Sequence, residues 1–381
     1  HFARRGADPL LTRALAGLAL AFVSLAPFLA FSQNTASVFW ALEGAGLVWY
    51  ARRSQRIPPL ATGVLLQALS GLMLLDLWGI GPDGMPFRNS LFHASLLLVA
   101  AGVLSSIALR NVVLPSRAFL AWALCWWFGI WYWELGYLLD HSQRLVAMLL
   151  LASLTSLASE WGGRRLAMPD LRAASVLLLP LTLIVPVAVS LDTGHPLGDS
   201  LWLVLPVSIG VLYATLRRHE QDHPEWQIAP RHVLQLWAIA WVPAWEAYWL
   251  VSQVPGLGYS LPEAARAALL AAPLLLAGYR GTAWPLAPHR RLYDSYGLAL
   301  PALLAWLWLF TLPMTLTGRW VLPYLPLLNP LELAAALLLW ALYRHWRATD
   351  GLGREQGYAA LFPLALLAWL TAILARTVHH W

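Results

Sequence analysis

Long apolar runs, separated by short clusters of Arg, Pro, Gly and Asp, recur along the whole chain. A helix needs about 20 apolar residues to cross the hydrocarbon of a bilayer, with a range of about 17–25. By this measure the pattern predicts thirteen membrane-spanning helices. They cover residues 11–31, 36–51, 60–80, 91–109, 118–138, 144–161, 173–191, 200–216, 231–252, 262–279, 296–314, 328–343 and 358–376. The predicted fold is an all-α, polytopic transmembrane helical bundle.

The arginines give an independent test of this count, because basic residues concentrate in the cytoplasmic loops of membrane proteins. With a cytoplasmic N-terminus, all but five of the 25 basic residues fall on the inner side. The exceptions are Arg88, Arg144, Arg266, Arg319 and Arg376. This alternation predicts an N-in, C-out chain whose loops are too short for a soluble domain, so residues 1–381 are expected to form one transmembrane domain. The Pro-rich stretch 322–330 is left open as a loop or a re-entrant segment.

Composition supports the membrane assignment and excludes several classes of protein. The chain is 59% hydrophobic and 12% charged, with a mean hydropathy of +0.60. Its 25 basic residues are all arginine, which excludes a P-loop lysine and a Schiff-base lysine. The single cysteine, Cys125, excludes an internal disulfide. We expect membrane lipids as partners and no nucleic acid, because topology accounts for the net charge of +6.

Acidic residues inside predicted spans are the main functional candidates, because an acid at the bilayer centre costs about 2.5–3.5 kcal/mol on insertion scales. The candidates are four glutamates in the predicted outer half of these spans: Glu43, Glu134, Glu246 and Glu332. Three of them follow a tryptophan closely, as in Trp40-Ala-Leu-Glu43, Trp133-Glu134 and Trp245-Glu246. The recurrence hints at an internal repeat of roughly 90–110 residues.

Two glutamates, Glu332 and Glu263, lie in patterns that are typical of the start of a helix. Asn329-Pro330-Leu331-Glu332 has the pattern of an N-cap followed by a first turn, which favours a structural role for Glu332. Ser260-Leu-Pro-Glu263 likewise predicts a capping box, with Ser260 as the N-cap.

Helix 231–252 carries a stripe of tryptophans at four-residue spacing, which keeps them near one face. The stripe consists of Trp237, Trp241, Trp245 and Trp249. Pro243 interrupts this helix and predicts either a broken helix beside Glu246 or a packing kink. Residues predicted to bind substrate or a proton are Glu43, Glu134, Glu246, Trp40, Trp131, Trp245 and Trp249.

Further polar side chains lie at the predicted outer rim. The principal candidates are Asp76, His93, Asp140, His141, His379 and His380, and the rim also holds Asp83, Asp192, His195 and Asp199. Their spacing matches no H-E-x-x-H or comparable metal motif, so the sequence predicts no metal site and no cofactor. The charged segment 219–225 is expected to be a solvated inner loop.

Three stretches resemble a known family. They are Trp40-Ala-Leu-Glu-Gly44, Tyr324-Leu-Pro-Leu-Leu-Asn-Pro-Leu-Glu-Leu333 and Arg376-Thr-Val-His-His-Trp381. With them, the whole chain resembles the large predicted bacterial membrane proteins catalogued as domain of unknown function 2339. The resemblance implies a multi-pass protein of the bacterial cytoplasmic (inner) membrane, of which these residues are a fragment. The remainder of that chain and other envelope proteins are candidate partners. It implies no catalytic residue.

Three functional hypotheses follow from these patterns. The first is a transporter-like or flippase-like protein with an outward-facing, acidic, Trp-lined cavity. The second is a membrane enzyme that modifies a lipid-linked glycan or acyl substrate at the outer face, with a carboxylate as base. The third is a structural or scaffolding membrane subunit. The sequence alone leaves open whether the protein is an enzyme.

Overall fold

The computed structural model describes residues 9–78, 84–222, 225–277, 282–311, 325–349 and 355–380. Within these ranges the chain forms helices and no strands, which confirms the all-α prediction. The helices are α1 (Pro9–Ala30), α2 (Gln33–Ser54), α3 (Ile57–Trp78), α4 (Ser90–Ala108), α5 (Val113–Leu135), α6 (His141–Arg165), α7 (Pro169–Ala173), α8 (Leu178–Thr193), α9 (Leu201–His219), α10 (Glu225–Ser252), α11 (Ser260–Leu275), α12 (Arg290–Leu292), α13 (Ala299–Thr311), α14 (Pro330–Ala348) and α15 (Glu355–His380). Short 3₁₀ turns, Ala174–Leu177 and Glu220–Asp222, join α7 to α8 and extend α9.

Seven segments of the described chain are long and apolar enough to cross a membrane. They are Ile57–Trp78, Ser90–Ala108, Val113–Leu135, His141–Arg165, Pro169–Thr193, Leu201–Asp222 and Ala360–His379. Each coincides with one of the thirteen predicted spans, so the protein is a multi-pass membrane protein.

The remaining predicted spans also fall on helices. In α1, which has 22 residues, the stretch Gly17–Ala30 is apolar but shorter than a full span. Within the described residues, α11 and α13 have 16 and 13 residues, below the length that crosses the hydrocarbon. Helices α2, α10 and α14 carry charged side chains along their length. The count of thirteen and the N-in, C-out orientation therefore stay predictions.

The chain divides into two compact units. Unit 1 comprises His1–Arg144 and Trp161–Ala173, and unit 2 comprises Leu145–Glu160 and Ala174–Trp381. The single transmembrane domain expected from the sequence stays a prediction.

Close backbone contact between α2 and α3 organises unit 1. A Cβ atom on Gly44 would lie 2.7 Å from the Gly63 carbonyl oxygen, and one on Gly63 would lie 2.6 Å from that of Gly44. Glycine at both positions lets the two backbones touch, as small residues do at helix interfaces in membranes. Beside this contact, leucine, phenylalanine and tryptophan side chains of α3, α4 and α5 form the core of the unit.

The core of unit 2 is built from α10, α11, α13, α14 and α15, with many buried alanines between larger leucines and tryptophans. A fully buried ion pair joins α14 to α15, since Arg376 Nη1 donates to Glu332 Oε1 at 2.9 Å. Asn329 caps α14 as predicted, because its Oδ1 accepts from the backbone N–H groups of Leu331 and Glu332 at 2.9 and 3.1 Å.

Several local predictions need correction. Helix α10 runs unbroken through Pro243, so this proline does not divide it. Ser260 is the first residue of α11 and not its N-cap, and Tyr259 at the cap position makes no side-chain cap bond. In the charged segment 219–225, α9 and its 3₁₀ extension reach Asp222 and α10 begins at Glu225, so these described residues are helical and not a loop, while residues 223–224 lie outside the described part. Residues 322–324 of the proposed re-entrant segment lie outside the described residues.

Candidate functional site

Glu246 lies about two turns before the end of α10 and binds the connection between α8 and α9. Its Oε1 is 2.9 Å from His195 Nε2, and its Oε2 accepts from the Leu197 backbone N–H at 3.2 Å. The His195 ring stacks on Trp249, with centroids 3.6 Å apart and an interplanar angle of 11°. Two predicted site residues, Glu246 and Trp249, therefore meet around a histidine that the sequence placed only among the rim groups.

Glu134 makes an equivalent contact in unit 1. It lies at the end of α5, is fully buried, and accepts from the Phe87 backbone N–H at 2.8 Å and from Asn89 Nδ2 at 2.7 Å. Phe87 and Asn89 belong to the connection between α3 and α4. Trp131 packs against Phe87, with centroids 5.2 Å apart. In both units, a glutamate after a tryptophan holds the loop that joins the two preceding helices.

The two loop contacts differ in one chemical respect. Asn89 supplies a neutral amide to Glu134, whereas His195 supplies an imidazole to Glu246. An imidazole can act as an acid or a base in a reaction, and an amide does not. The contacts thus favour a structural role for Glu134, while the Glu246 contact includes a side chain with acid–base chemistry.

Glu43 has a separate environment between α1 and α2. Ser24 Oγ donates to Glu43 Oε1 at 2.6 Å, and Trp40 Nε1 donates to the Ser24 carbonyl oxygen at 2.6 Å. Trp40 also stacks on Phe28, with centroids 5.8 Å apart. Glu43 and Trp40 therefore share one serine, and this contact ties α1 to α2.

A cavity of about 360 Å³ lies between α10, α11 and α13, and we call it the tryptophan groove. Its lining consists of Trp241, Ala244, Trp245, Arg266, Leu270, Leu304, Leu307, Trp308 and Thr311. The predicted Trp245 is in this lining, with its ring 5.2 Å from that of Trp241. The charged residue of this lining is Arg266. Glu246 is not part of the lining, and it contacts the α8–α9 connection instead.

A small polar network holds Arg266 in place. Its Nη2 forms an ion pair with Glu263 Oε2, and the same oxygen accepts from Trp308 Nε1 at 2.8 Å. The guanidinium lies 5.2 Å from the centroid of the Tyr248 ring. Burial and the bond to Glu263 raise the pKa of the neighbouring Tyr259 to about 12, so this phenol stays neutral at physiological pH.

Most of the principal rim residues are exposed side chains. Asp76, His93, Asp140 and His141 are exposed in unit 1, and His379 is exposed in unit 2. His93 Nδ1 bonds the carbonyl oxygen of Asn89 at 2.7 Å, which is a local helix contact. Asp83 and the side chain of His380 lie outside the described part of the chain.

One cluster of metal-ligating side chains occurs among the described residues, and the sequence did not predict it. Glu220, His232 and His289 offer three ligand atoms within 4.8 Å of one another, and we call them the Glu220 cluster. Glu220 Oε1 is 3.1 Å from His232 Nε2 and is also bonded to His289 Nε2. Glu220 Oε2 accepts from Trp284 Nε1 at 2.8 Å.

The cluster has a polar second layer on its buried side. His232 is fully buried, and its Nδ1 is 2.7 Å from Tyr293 Oη. Burial, with Tyr213 and Glu220 nearby, raises the pKa of Tyr293, so this phenol remains protonated. Tyr293 opens a π-helical turn, Tyr293–Gly297, directly after α12.

These features together define a tryptophan-rich, helical, multi-pass membrane protein. The model of the family described as "Predicted membrane protein (DUF2339)" matches residues 1–381, so the chain belongs to that family. This match confirms the resemblance carried by the sequence motifs. No curated protein and no solved structure matches the chain.

Proposed function

We propose that the protein is a transporter-like or flippase-like carrier that binds an anionic amphiphile in the tryptophan groove. The observation that carries this proposal is the lining of the groove, which combines three indole rings and several leucines with one guanidinium. Indoles and leucines suit an acyl or prenyl chain. A guanidinium suits a phosphate or carboxylate headgroup. The groove therefore fits a molecule with one anionic end and one apolar end.

The position of Arg266 supports a headgroup site. A guanidinium has five N–H donors, so it can hold Glu263 and a second anion together. Its side chain is 35% exposed, whereas that of Glu263 is 4% exposed. The arginine can therefore reach a ligand while the glutamate anchors it from behind. Leu307 of the lining is 53% exposed, so the apolar part of the groove opens to the surroundings of the helices.

Helix α10 links this groove to the Glu246–His195 pair. Trp241 and Trp245 face the groove, while Glu246 contacts His195 on a neighbouring face of the same helix. Pro243 lies between them and removes one backbone hydrogen bond of the helix. Loss of the Glu246–His195 contact would release the end of α10 and, through this weakened point, alter the shape of the groove.

The same proposal includes the thirteen-span, N-in, C-out topology in a bacterial cytoplasmic membrane. The distribution of the arginines supports this orientation. It would place Glu246, Arg266 and the polar end of the groove toward the outer face. An amphiphile could then exchange between the groove and the outer leaflet.

A reconstituted translocation assay tests the carrier proposal. We expect vesicles containing the protein to move a fluorescent anionic phospholipid between leaflets faster than a zwitterionic one. Arg266→Gln should remove this preference, and Glu246→Gln should slow the movement. Arg53→Gln is the matched control, since Arg53 also lies over an aromatic ring, 4.7 Å from the centroid of Trp49, outside the groove. Equal rates for all four proteins would contradict the proposal.

A second candidate function is favoured by the Glu246–His195 pair itself. A carboxylate that holds an imidazole at 2.9 Å orients it as a general base, as in many hydrolases and transferases. Such a base would serve an enzyme that modifies a lipid-linked glycan or acyl chain. The two candidates are separated by the products: an enzyme changes the chemical structure of the amphiphile, and His195→Ala would abolish that change without weakening amphiphile binding.

A further inference from the structure

We propose that the Glu220 cluster is a binding site for a divalent transition-metal ion of the Zn²⁺ type. The ligand set is one carboxylate and two imidazoles, contributed by Glu220, His232 and His289. Two histidines and a glutamate form a common zinc site in proteins, in which three protein ligands leave a position for water or substrate. The site shares no residue with the tryptophan groove, so the inference stands independently of the carrier proposal.

The spacing of the three donor atoms suits such an ion. Bonds from zinc to nitrogen and oxygen are about 2.0–2.2 Å, which places neighbouring ligand atoms about 3.4 Å apart around a tetrahedral ion. Here Glu220 Oε1 and His232 Nε2 are 3.1 Å apart, and all three donor atoms lie within 4.8 Å of one another. The distance between Glu220 Oε1 and His232 Nε2 has to widen by only about 0.3 Å for a tetrahedral ion to enter.

The groups around the cluster fix the donors in the orientation that a metal requires. A metal-bound histidine usually donates its second ring N–H to a polar group, which sets its tautomer. His232 Nδ1 lies 2.7 Å from Tyr293 Oη, so Nε2 is turned toward Glu220 and His289. Trp284 Nε1 holds Glu220 Oε2 at 2.8 Å, which leaves Oε1 as the single carboxylate donor. The two imidazole rings are close to each other and tilted by 36°, with centroids 4.3 Å apart.

The chemistry of the donors selects the class of ion. Imidazole nitrogen suits Zn²⁺, Co²⁺ and related first-row ions, whereas Ca²⁺ and Mg²⁺ prefer sites made of oxygen. One carboxylate and two neutral imidazoles leave a divalent ion with one uncompensated positive charge. A bound ion would join three separate parts of unit 2: the 3₁₀ extension of α9, the first third of α10, and the segment preceding α12. It would thus lock the arginine-rich ends of these helices together.

The test is a metal titration of the whole chain, purified in detergent after treatment with a chelator. We expect one Zn²⁺ per chain in competition with a chromophoric chelator, and Co²⁺ should give the visible absorption of a tetrahedral site. Zn²⁺ should also raise the Tm of the protein, because a ligand that binds the folded state stabilises it.

Variants locate the ion within the cluster. His289→Ala and Glu220→Gln each remove a ligand and should abolish stoichiometric binding. Tyr293→Phe removes only the support of His232 and should weaken binding by roughly 10- to 100-fold. His195→Ala is the matched control, because it also removes an imidazole that bonds a glutamate in unit 2. It should leave the stoichiometry unchanged.

Two results would overturn the proposal. The first is a parent protein that binds neither ion at one equivalent, which would leave the cluster a hydrogen-bonded network only. The second is binding by His289→Ala and Glu220→Gln with the parent stoichiometry, which would place the ion elsewhere. If either ligand variant fails to fold, as judged by gel filtration and helical circular dichroism, Tyr293→Phe decides, since an unchanged affinity in that variant would also count against the site.

Discussion

Glu134 provides the sharpest test of how this chain uses buried acids. It is fully buried, and its two carboxylate oxygens accept from the Phe87 backbone N–H and the Asn89 amide. Phe87 has a φ of 63°, in the left-handed region that a bulky residue rarely adopts. Asn89 in turn caps α4, since its Oδ1 accepts from the Phe92 N–H at 2.7 Å. One side chain thus holds a strained loop and, through Asn89, the start of a helix.

The expected cost of removing this carboxylate follows from the donors that it satisfies. A buried donor left without a partner costs about 1–3 kcal/mol, so Glu134→Ala, which strands two donors, should destabilise the protein by about 2–6 kcal/mol. Glu134→Gln keeps the size of the side chain but turns an NH₂ group toward one donor. This variant should therefore lower the free energy of unfolding by about 1–3 kcal/mol.

Unfolding in mixed detergent micelles, followed by tryptophan fluorescence and circular dichroism, measures these losses. Asp140→Asn is the control, because Asp140 is exposed at the start of α6 and makes no side-chain cap bond. Its effect should stay within about 0.5 kcal/mol. A Glu134→Ala protein as stable as the Asp140→Asn control would refute the reasoning and would return Glu134 to the list of substrate-binding candidates.

Three further predictions concern other parts of the molecule. Gly63→Leu should disrupt unit 1, since its Cβ would already lie 2.6 Å from the Gly44 carbonyl oxygen, and cleavage of the variant by a protease should be faster than that of the parent. The phenol of Tyr259 should ionise near pH 12 in ultraviolet difference titration against a Tyr259→Phe protein, and Glu263→Gln should lower that pKa only in part, because burial is the larger cause. Asn329→Ala removes the cap of α14 and should lower the free energy of unfolding by about 0.5–2 kcal/mol; an unchanged stability would mean that solvent replaces the cap.

The positions of the helices could be predicted from the sequence, because apolar runs and the Arg, Pro, Gly and Asp clusters between them are local signals. Each predicted span falls on a helix, and Asn329 was identified as an N-cap from four residues alone. Local signals also misled in places. For Pro243 the sequence left a broken helix and a packing kink open, and α10 continues through the proline without a break. Ser260 resembled an N-cap, yet the Glu263 carboxylate is taken by Arg266 and Trp308.

The sites were harder to predict, because they depend on contacts that are distant in sequence. The pairing of tryptophan with glutamate pointed to Glu246, but its partner His195 lies 51 residues earlier. Glu220 and His289 are 69 residues apart, and no spacing rule connects them. A weak signal did exist, since His232 lies within a predicted span and is fully buried in the fold. The sequence predicts a Trp-lined cavity that includes Trp245, but the helices that line the groove could not be predicted, because three of them have to be placed together.

The central claim, that the tryptophan groove binds an anionic amphiphile, is tested most directly by photocrosslinking. An anionic phospholipid with a photoreactive group in its acyl chain would be irradiated with the protein in nanodiscs, and the labelled peptides would be mapped by mass spectrometry. We expect labelling to concentrate on residues 241–245 and 304–308, and Arg266→Gln to reduce it to the level seen with a zwitterionic analogue. Labelling spread evenly over the exposed helices, or unchanged by Arg266→Gln, would contradict the account.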